Sequence, residues 1–394
     1  MLTSATSFAD YADAMEGALA LDPRLTSTVP EPYEALRSIV SLEELRRRGT
    51  FFTSHEIATR LWENVGNTLI SGSVVVDPAC GAGDLLLPAL ERLRSNQATG
   101  FILRGGDLDP DFVRVASARL SRLIPDGAGS IDVRTQDFLS NPGLLEGASH
   151  VVLNPPFVPM TVSTGWAAGK VNSAAAFTLA ALDNMNPGTH LLAVLPDVLR
   201  SGSRYRRWRD EVGKRSVVSR IVPLGQFDKE TDVHVFILEA IKSAADQHHP
   251  WPNAPVTDGS SVEDLFHIRV GPVVPHRHAE SGEDVSYVTA RSLTSGVQLR
   301  RRFAGRLEKG PLVLVNRTSR PGEFPRARAR LYSDPSPLAV ENHLIIAAPR
   351  DGALETCQAL VEVLHSEEAA KYLDQAIRCR HLTVGAVKGI PWPT

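Results

Sequence analysis

One stretch constrains this chain more than any other: Val151-Val152-Leu153-Asn154-Pro155-Pro156-Phe157. Three apolar residues read as the end of a buried strand. Proline cannot continue a central strand, so the chain must leave the sheet there. Asn154 and Phe157 are therefore expected at the carboxyl edge of a sheet, where open α/β folds take their ligands. Proline carries no N–H, which leaves the carbonyls of Asn154 and Pro155 available to other donors. Two carbonyl acceptors beside an aromatic face suit a flat amine that donates two hydrogen bonds while its ring stacks. A proline turn that merely caps a strand is the plainer alternative, and the rest of the chain must decide between them.

Ser73-Val74-Val75-Val76-Asp77 is a short β-branched strand of the buried parallel kind. It runs into Pro78-Ala79-Cys80-Gly81-Ala82-Gly83-Asp84, and a helix follows. Strand, glycine turn and helix make a dinucleotide-type arrangement, but Leu86 stands where G-x-G-x-x-G needs its third glycine. A carboxylate closing the strand would repel a pyrophosphate and suits an amino-bearing or cationic ligand, which glycines let lie close to the backbone. The second strand, Gly100–Arg104, leads through Gly105-Gly106 to Asp107-Leu108-Asp109. An acid at the end of the second strand, about 20–30 residues past the glycine turn, is the usual acceptor for ribose hydroxyls. A third strand, Ile131–Arg134, ends at Gln136-Asp137-Phe138. There a carboxylate can accept from an exocyclic amine while an aromatic covers a ring, though a solvated Asp beside a core Phe is the blander reading. Upstream, Gly49-Thr50-Phe51-Phe52-Thr53-Ser54 precedes a helix carrying Ile57, Leu61 and Val65, with Thr53 or Ser54 as its cap.

After the opening stretch, residues 159–172 are polar, glycine-containing and unpatterned, which reads as a mobile active-site loop. A helix (174–185), a strand (190–195), a helix (205–212) and a strand pair (217–224 and 233–238) follow. The turn of that pair holds Gly225-Gln226-Phe227-Asp228. Residues 1–48 read as a helical segment with a proline-broken linker near Pro30-Glu31-Pro32, and residues 244–261 as a domain boundary. The chain closes with helices over 353–378 and a strand-like His381–Val384.

At 394 residues the chain is long enough for two domains. A formal net charge of -3 means that nucleic-acid binding would need a local basic face. Arginines from Arg291 to Arg330 form one, with Arg317, Arg320, Arg326 and Arg328 as candidate DNA contacts; a salt-bridged protein surface is the alternative. Cys80, Cys357 and Cys379 lie in no C-x-x-C pair, and neither His248-His249 nor His276-Arg277-His278 has companion ligands at metal spacing, so no metal is expected. The N-terminus lacks signal-peptide character, and no apolar run approaches the ~18 residues needed to span a membrane. A soluble cytoplasmic protein is expected.

Together these segments resemble gamma-class DNA adenine-N6 methyltransferases over residues 49–240, and more weakly beyond. Asn154-Pro155-Pro156-Phe157 is similar to the catalytic motif, Asp77–Gly83 to the S-adenosylmethionine loop, and Gly49–Thr53 to the upstream motif, although Ser54 stands where relatives usually carry proline. The resemblance implies an α/β fold: a Rossmann-like class I methyltransferase domain (49–245) with a smaller C-terminal α+β target-recognition domain (262–394). It implies S-adenosylmethionine as cofactor, duplex DNA as substrate, and a separate restriction endonuclease or specificity subunit as companion. Asp77 and the Gly81 and Gly83 backbone would hold the methionine end, with Phe52 and Thr53 of the upstream motif near it. Asp107 would accept from the ribose hydroxyls and Asp137 from the cofactor's adenine amine, with Phe138 packed on that adenine; Ala79 and Leu108 would be further cofactor contacts. The Asn154 side-chain oxygen and the Pro155 carbonyl would accept both N6 protons of a flipped-out adenine, with Phe157 and Phe227 stacking on its two faces. Similar folds with Asn-Pro-Pro-Tyr or -Phe methylate glutamine in release factors or guanine N2 in ribosomal RNA. Those tend to place their recognition part before the catalytic domain, whereas this chain has its extra length after it. A non-catalytic subunit with a dead methyltransferase domain is disfavoured because every motif that carries chemistry is intact.

Overall fold

The segments ending at Asp77, Asp107 and Asn154 lie in one sheet in the computed structural model, which describes residues 8–21, 32–50, 52–227, 233–244, 247–252, 259–378 and 380–393. Phe51, Asp228, Cys379 and the Pro30-Glu31 linker fall outside the described residues. The chain divides into two units, one of residues 1–199 and 206–252, the other of residues 200–205 and 253–394.

In the first unit the strands are β1 (Val74–Asp77), β2 (Phe101–Asp107), β3 (Gly129–Thr135), β4 (His150–Leu153), β5 (Pro159–Ser163), β6 (Ala168–Asn172), β7 (His190–Pro196), β8 (Ser216–Gln226) and β9 (His234–Lys242). Seven of them form a mixed sheet in the order β3-β2-β1-β4-β7-β9-β8, in which β9 runs antiparallel to its neighbours β7 and β8. This is the mixed seven-stranded sheet that the resemblance leads one to expect of the first domain. Val75, Val76, Val151, Val152 and Leu153 are all 0% exposed, as central parallel strands covered on both faces require. The strand order reverses between β1 and β4, which opens a crevice at their carboxyl ends. Asp77 and Asn154 stand at the two sides of that crevice.

The surrounding helices include α1 (Phe8–Leu21), α2 (Pro32–Ile39), α3 (Leu42–Arg48), α4 (His55–Leu61), α5 (Leu86–Ser95), α6 (Pro110–Ser121), α7 (Ser173–Asn184) and α8 (Arg206–Arg215). The Ser54 hydroxyl caps α4 by accepting from Ile57 N, and Asp109 caps α6 with Pro110 at its first turn. Phe8 and Tyr11 of α1 pack on Phe112 of α6, and Phe52 joins them with its ring 5.1 Å from Phe112.

The second strand runs on through Gly105 and Gly106 to Asp107: a Cβ at Gly106 would lie 2.7 Å from Leu144, so glycine lets the chain continue while Cys80 N bonds to Gly106 O. Two expectations are corrected. Residues 159–172 form the hairpin β5–β6, whose alternation is too short and glycine-broken to read locally. His381–Val384 is not a strand, because the Thr383 hydroxyl caps a further helix, Val384–Lys388.

The second unit holds β10 (Phe266–Val270), β11 (Glu283–Val288), β12 (Leu299–Phe303), β13 (Leu312–Asn316), β14 (Ala329–Tyr332), β15 (Leu338–Val340) and β16 (Leu344–Pro349). They make a four-stranded sheet, β10-β16-β13-β14, and a three-stranded one, β12-β11-β15. Helices α9 (Leu354–Leu364) and α10 (Glu367–Ala376) share a core with the larger sheet through Val313, Ile345, Leu360 and Leu373. Among the described residues no helix is long and apolar enough to cross a membrane.

Candidate active site

A cavity of about 500 Å³ opens in the first unit at the carboxyl ends of β1 to β4. That is the range of small-molecule sites, roughly 300–1,000 Å³. Eleven of the expected residues line it: Phe52, Thr53, Asp77, Ala79, Gly81, Asp107, Leu108, Asp137, Phe138, Asn154 and Pro156. Gly83, Pro155, Phe157 and Phe227 do not.

The cavity concentrates carboxylates away from water. Asp77 is 1% exposed, and its Oδ1 accepts from Ala79 N at 3.1 Å. Burial, with Asp107 and Asp84 nearby, pushes its pKa up to about 8. Burial also raises Asp107, although its two oxygens accept from Gly81 N (2.9 Å) and Asp109 N (3.0 Å). Such a group gains from a cation nearby, so the site fits a ligand bearing positive charge at the Asp77 end. Asp137 instead stands in solvent, accepting from Leu139 N and the Ser140 hydroxyl, while Phe138 beside it is 2% exposed.

The glycine loop takes its shape from its neighbours. Gly81 has φ +50°, and a Cβ there would lie 3.0 Å from the Phe52 ring. Phe52 thus closes over the loop only because Gly81 has no side chain. Gly49, at φ +69°, plays the same part at the other end: a Cβ would collide with Val158, just beyond the Asn-Pro-Pro-Phe turn. The upstream segment is thereby drawn onto the Asn-Pro-Pro-Phe turn. There Asn154 Nδ2 donates to the Thr53 hydroxyl at 2.7 Å, which sets the plane of the amide. The Pro156 carbonyl accepts from the Ser173 hydroxyl at the start of α7.

Several participants carried no sequence signal. Phe177, from α7, lines the cavity with its ring 5.8 Å from Phe138. Asp84 lines it too, paired with Arg119 at 2.7 Å. Arg47 lies at its rim, hydrogen-bonded to both carboxylate oxygens of Glu44. Only residues already brought together by the fold could have revealed them.

Two expected roles need correction. Phe227 is 7% exposed and sits in the core, with its ring edge-on to Phe157 at 6.0 Å and 72°. Rings in direct edge contact leave no slot for a flat base between them. Arg326 is fully buried: it donates to Ser319 and Ile377 carbonyls and pairs with Asp374 at 2.9 Å. A guanidinium so enclosed holds the second unit together and cannot meet DNA. Arg317 is half-buried on the Asn342 carbonyl, Arg328 pairs with Glu323 at 3.4 Å, and Arg320 is exposed. Elsewhere in the basic run Arg300 pairs with Asp284 and Arg306 with Glu308. Arg291, Arg320 and Arg330 are exposed and make no ion pair among the described residues.

A search among curated proteins finds no match. Among solved structures the chain is similar to a protein of Listeria monocytogenes described as a class I S-adenosylmethionine-dependent methyltransferase. That match has 18% identity and a TM-score of 0.43, covering 62% of this chain and 82% of the other. It is also similar to the methyltransferase subunit of a type I restriction-modification system from Streptococcus thermophilus, at 18% identity and TM-score 0.41, covering 50% of this chain and 45% of that one. The type IIG restriction endonuclease BpuSI aligns with 100% of this chain at 14% identity and TM-score 0.48, and the chain spans 68% of it. The decisive match is to the sequence model of N-6 DNA methylases, which covers residues 26–247. With more than half of its length matched there, the chain belongs to the N-6 DNA methylase family of S-adenosylmethionine-dependent methyltransferases.

Proposed function

We propose that this chain methylates N6 of an adenine extruded from duplex DNA at specific sites. The observation that carries the reading is the Asn154–Thr53 hydrogen bond at the cavity that also holds Asp77 and Asp107. It presents a fixed amide beside a site suited to a positively charged ligand. S-adenosylmethionine supplies an electrophilic sulfonium methyl when bound. The adenine N6 lone pair is delocalised into the ring and is a poor nucleophile. With Asn154 Nδ2 turned to Thr53, its Oδ1 and the Pro155 carbonyl accept the two N6 protons. That draws the nitrogen toward sp³ and aims its lone pair, so orientation and placed dipoles lower the barrier. Phe157 stacks on one face of the base, a contact worth ~1–3 kcal/mol that offsets part of the cost of extrusion.

The second unit is the proposed target-recognition domain, with Arg291, Arg320 and Arg330 on phosphates in place of Arg326. The same reading gives the chain a modification role in a restriction-modification or phage-defence system, with a separate endonuclease or specificity subunit as partner. Asn154→Ala tests the centre of the reading. Nucleoside mass spectrometry of treated DNA should find N6-methyladenine with the natural chain and none with the variant. Calorimetry should find S-adenosylmethionine affinity nearly unchanged, since Asn154 faces the acceptor. N4-methylcytosine as product, or an active variant, would refute it.

A further inference from the structure

The hairpin β5–β6 follows the Asn-Pro-Pro-Phe turn directly. Among the described residues its five-residue strands pair only with each other, Pro159 with Asn172 through Ser163 with Ala168. Both feet are pinned at the catalytic turn: Ser173 N donates to the Val158 carbonyl at 2.9 Å, and the Ser173 hydroxyl bonds to Val158 N and the Pro156 carbonyl. Strands of this length reach about 17 Å from such an anchor. The two faces differ. Met160, Val162 and Val171 share one face, while exposed Thr161, Ser163 and Lys170 share the other. At the tip, Thr164 N and its hydroxyl both bond to the Ala167 carbonyl, which closes a tight turn around Gly165 and the part-exposed Trp166. Residues 159–172 contain no acid, and Lys170 is their single charged side chain.

Hydroxyls and one ammonium on a hairpin that carries no carboxylate of its own are a set of donors matched to phosphate oxygens. An aromatic at the end of a narrow ribbon is a stacking surface for a base. The catalytic turn at the root of the ribbon brings both features beside the target nucleotide. We propose that β5–β6 is a DNA-contacting arm. Thr161, Ser163 and Lys170 bind the backbone of the strand that carries the target adenine, and Trp166 stacks on a base next to it. This deepens the reading of the same site and rests on it.

The test uses the full chain with a fluorescent 40-bp random-sequence duplex pool as probe and unmethylated plasmid as methyl acceptor. Trp166→Ala and Lys170→Glu should each weaken duplex binding roughly tenfold. Trp166→Phe should bind like the natural chain, because the stacking face survives. S-adenosylmethionine affinity by calorimetry should stay within about twofold throughout, showing that the fold is intact. Duplex affinity and plasmid methylation both unchanged in Trp166→Ala and Lys170→Glu would overturn the arm while leaving the adenine-N6 reading standing. A natural chain that never methylates plasmid adenine would instead overturn that reading.

Discussion

At the residue scale, Asp77 sets the most direct test of the proposed cofactor site. With its pKa pushed up to about 8, it is mostly protonated at pH 7 in the free protein. A cation bound beside it favours the carboxylate, so binding must expel a proton, and affinity must rise with pH until Asp77 ionises unaided. Calorimetry in buffers of different ionisation enthalpy should find close to one proton released per S-adenosylmethionine at pH 7. Asp77→Asn should abolish that release. Thr53 gives a second test. It is 6% exposed, with its hydroxyl on the Asn154 amide. Thr53→Val keeps the shape but removes the acceptor that orients the amide plane. kcat should fall roughly ten- to a hundredfold, with little change in the KM for S-adenosylmethionine. Thr53→Ser should restore it. An equal loss in kcat/KM for both substrates would point to misfolding of the upstream segment.

At the element scale, β4 and β7 begin with stacked imidazoles. His150 and His190 lie 5.0 Å apart at 14°. His150 bonds to the Thr68 and Ser149 hydroxyls, and burial, with His190 adding to it, lowers its pKa to about 4. The unfolded chain therefore takes up this proton near pH 6.5 and the folded chain only near 4, so stability drains away as pH falls through that window. Integrated over it, the effect approaches roughly 3 kcal/mol. Asp77, whose pKa is raised, acts in the opposite sense over the same range, so the informative quantity is a difference. Denaturant melts at pH 7.5 and 5 should find that His150→Asn has lost less stability on acidification than the natural chain. A parallel pH dependence in both would refute the assignment.

At the scale of the whole molecule, the net charge says little about DNA and the placement of cations says much. Binding to duplex should weaken steeply with salt, and Arg320→Ala and Arg330→Ala should each lower the slope by about one unit. Arg326→Ala should leave the slope alone and instead cost stability on the order of 3 kcal/mol, because it strands Asp374 and the Ser319 and Ile377 carbonyls. The sequence by itself determined the order of the strands that matter and what stands at their ends. Asp77 and Asn154 directly follow apolar runs that local pattern alone marks as buried strand, and Asp107 and Asp137 stand just past segments whose residue types read as strand. Tertiary structure decided everything that depends on partners distant along the chain. Thr53 meets Asn154 across 101 residues, and Phe177 reaches the cavity from the helix beyond the hairpin. Arg326 and Phe227 are buried where sequence favoured contact with ligand. The reason is physical: strand formation follows from side-chain periodicity within a few residues, whereas burial and hydrogen-bond pairing are set only when remote segments pack.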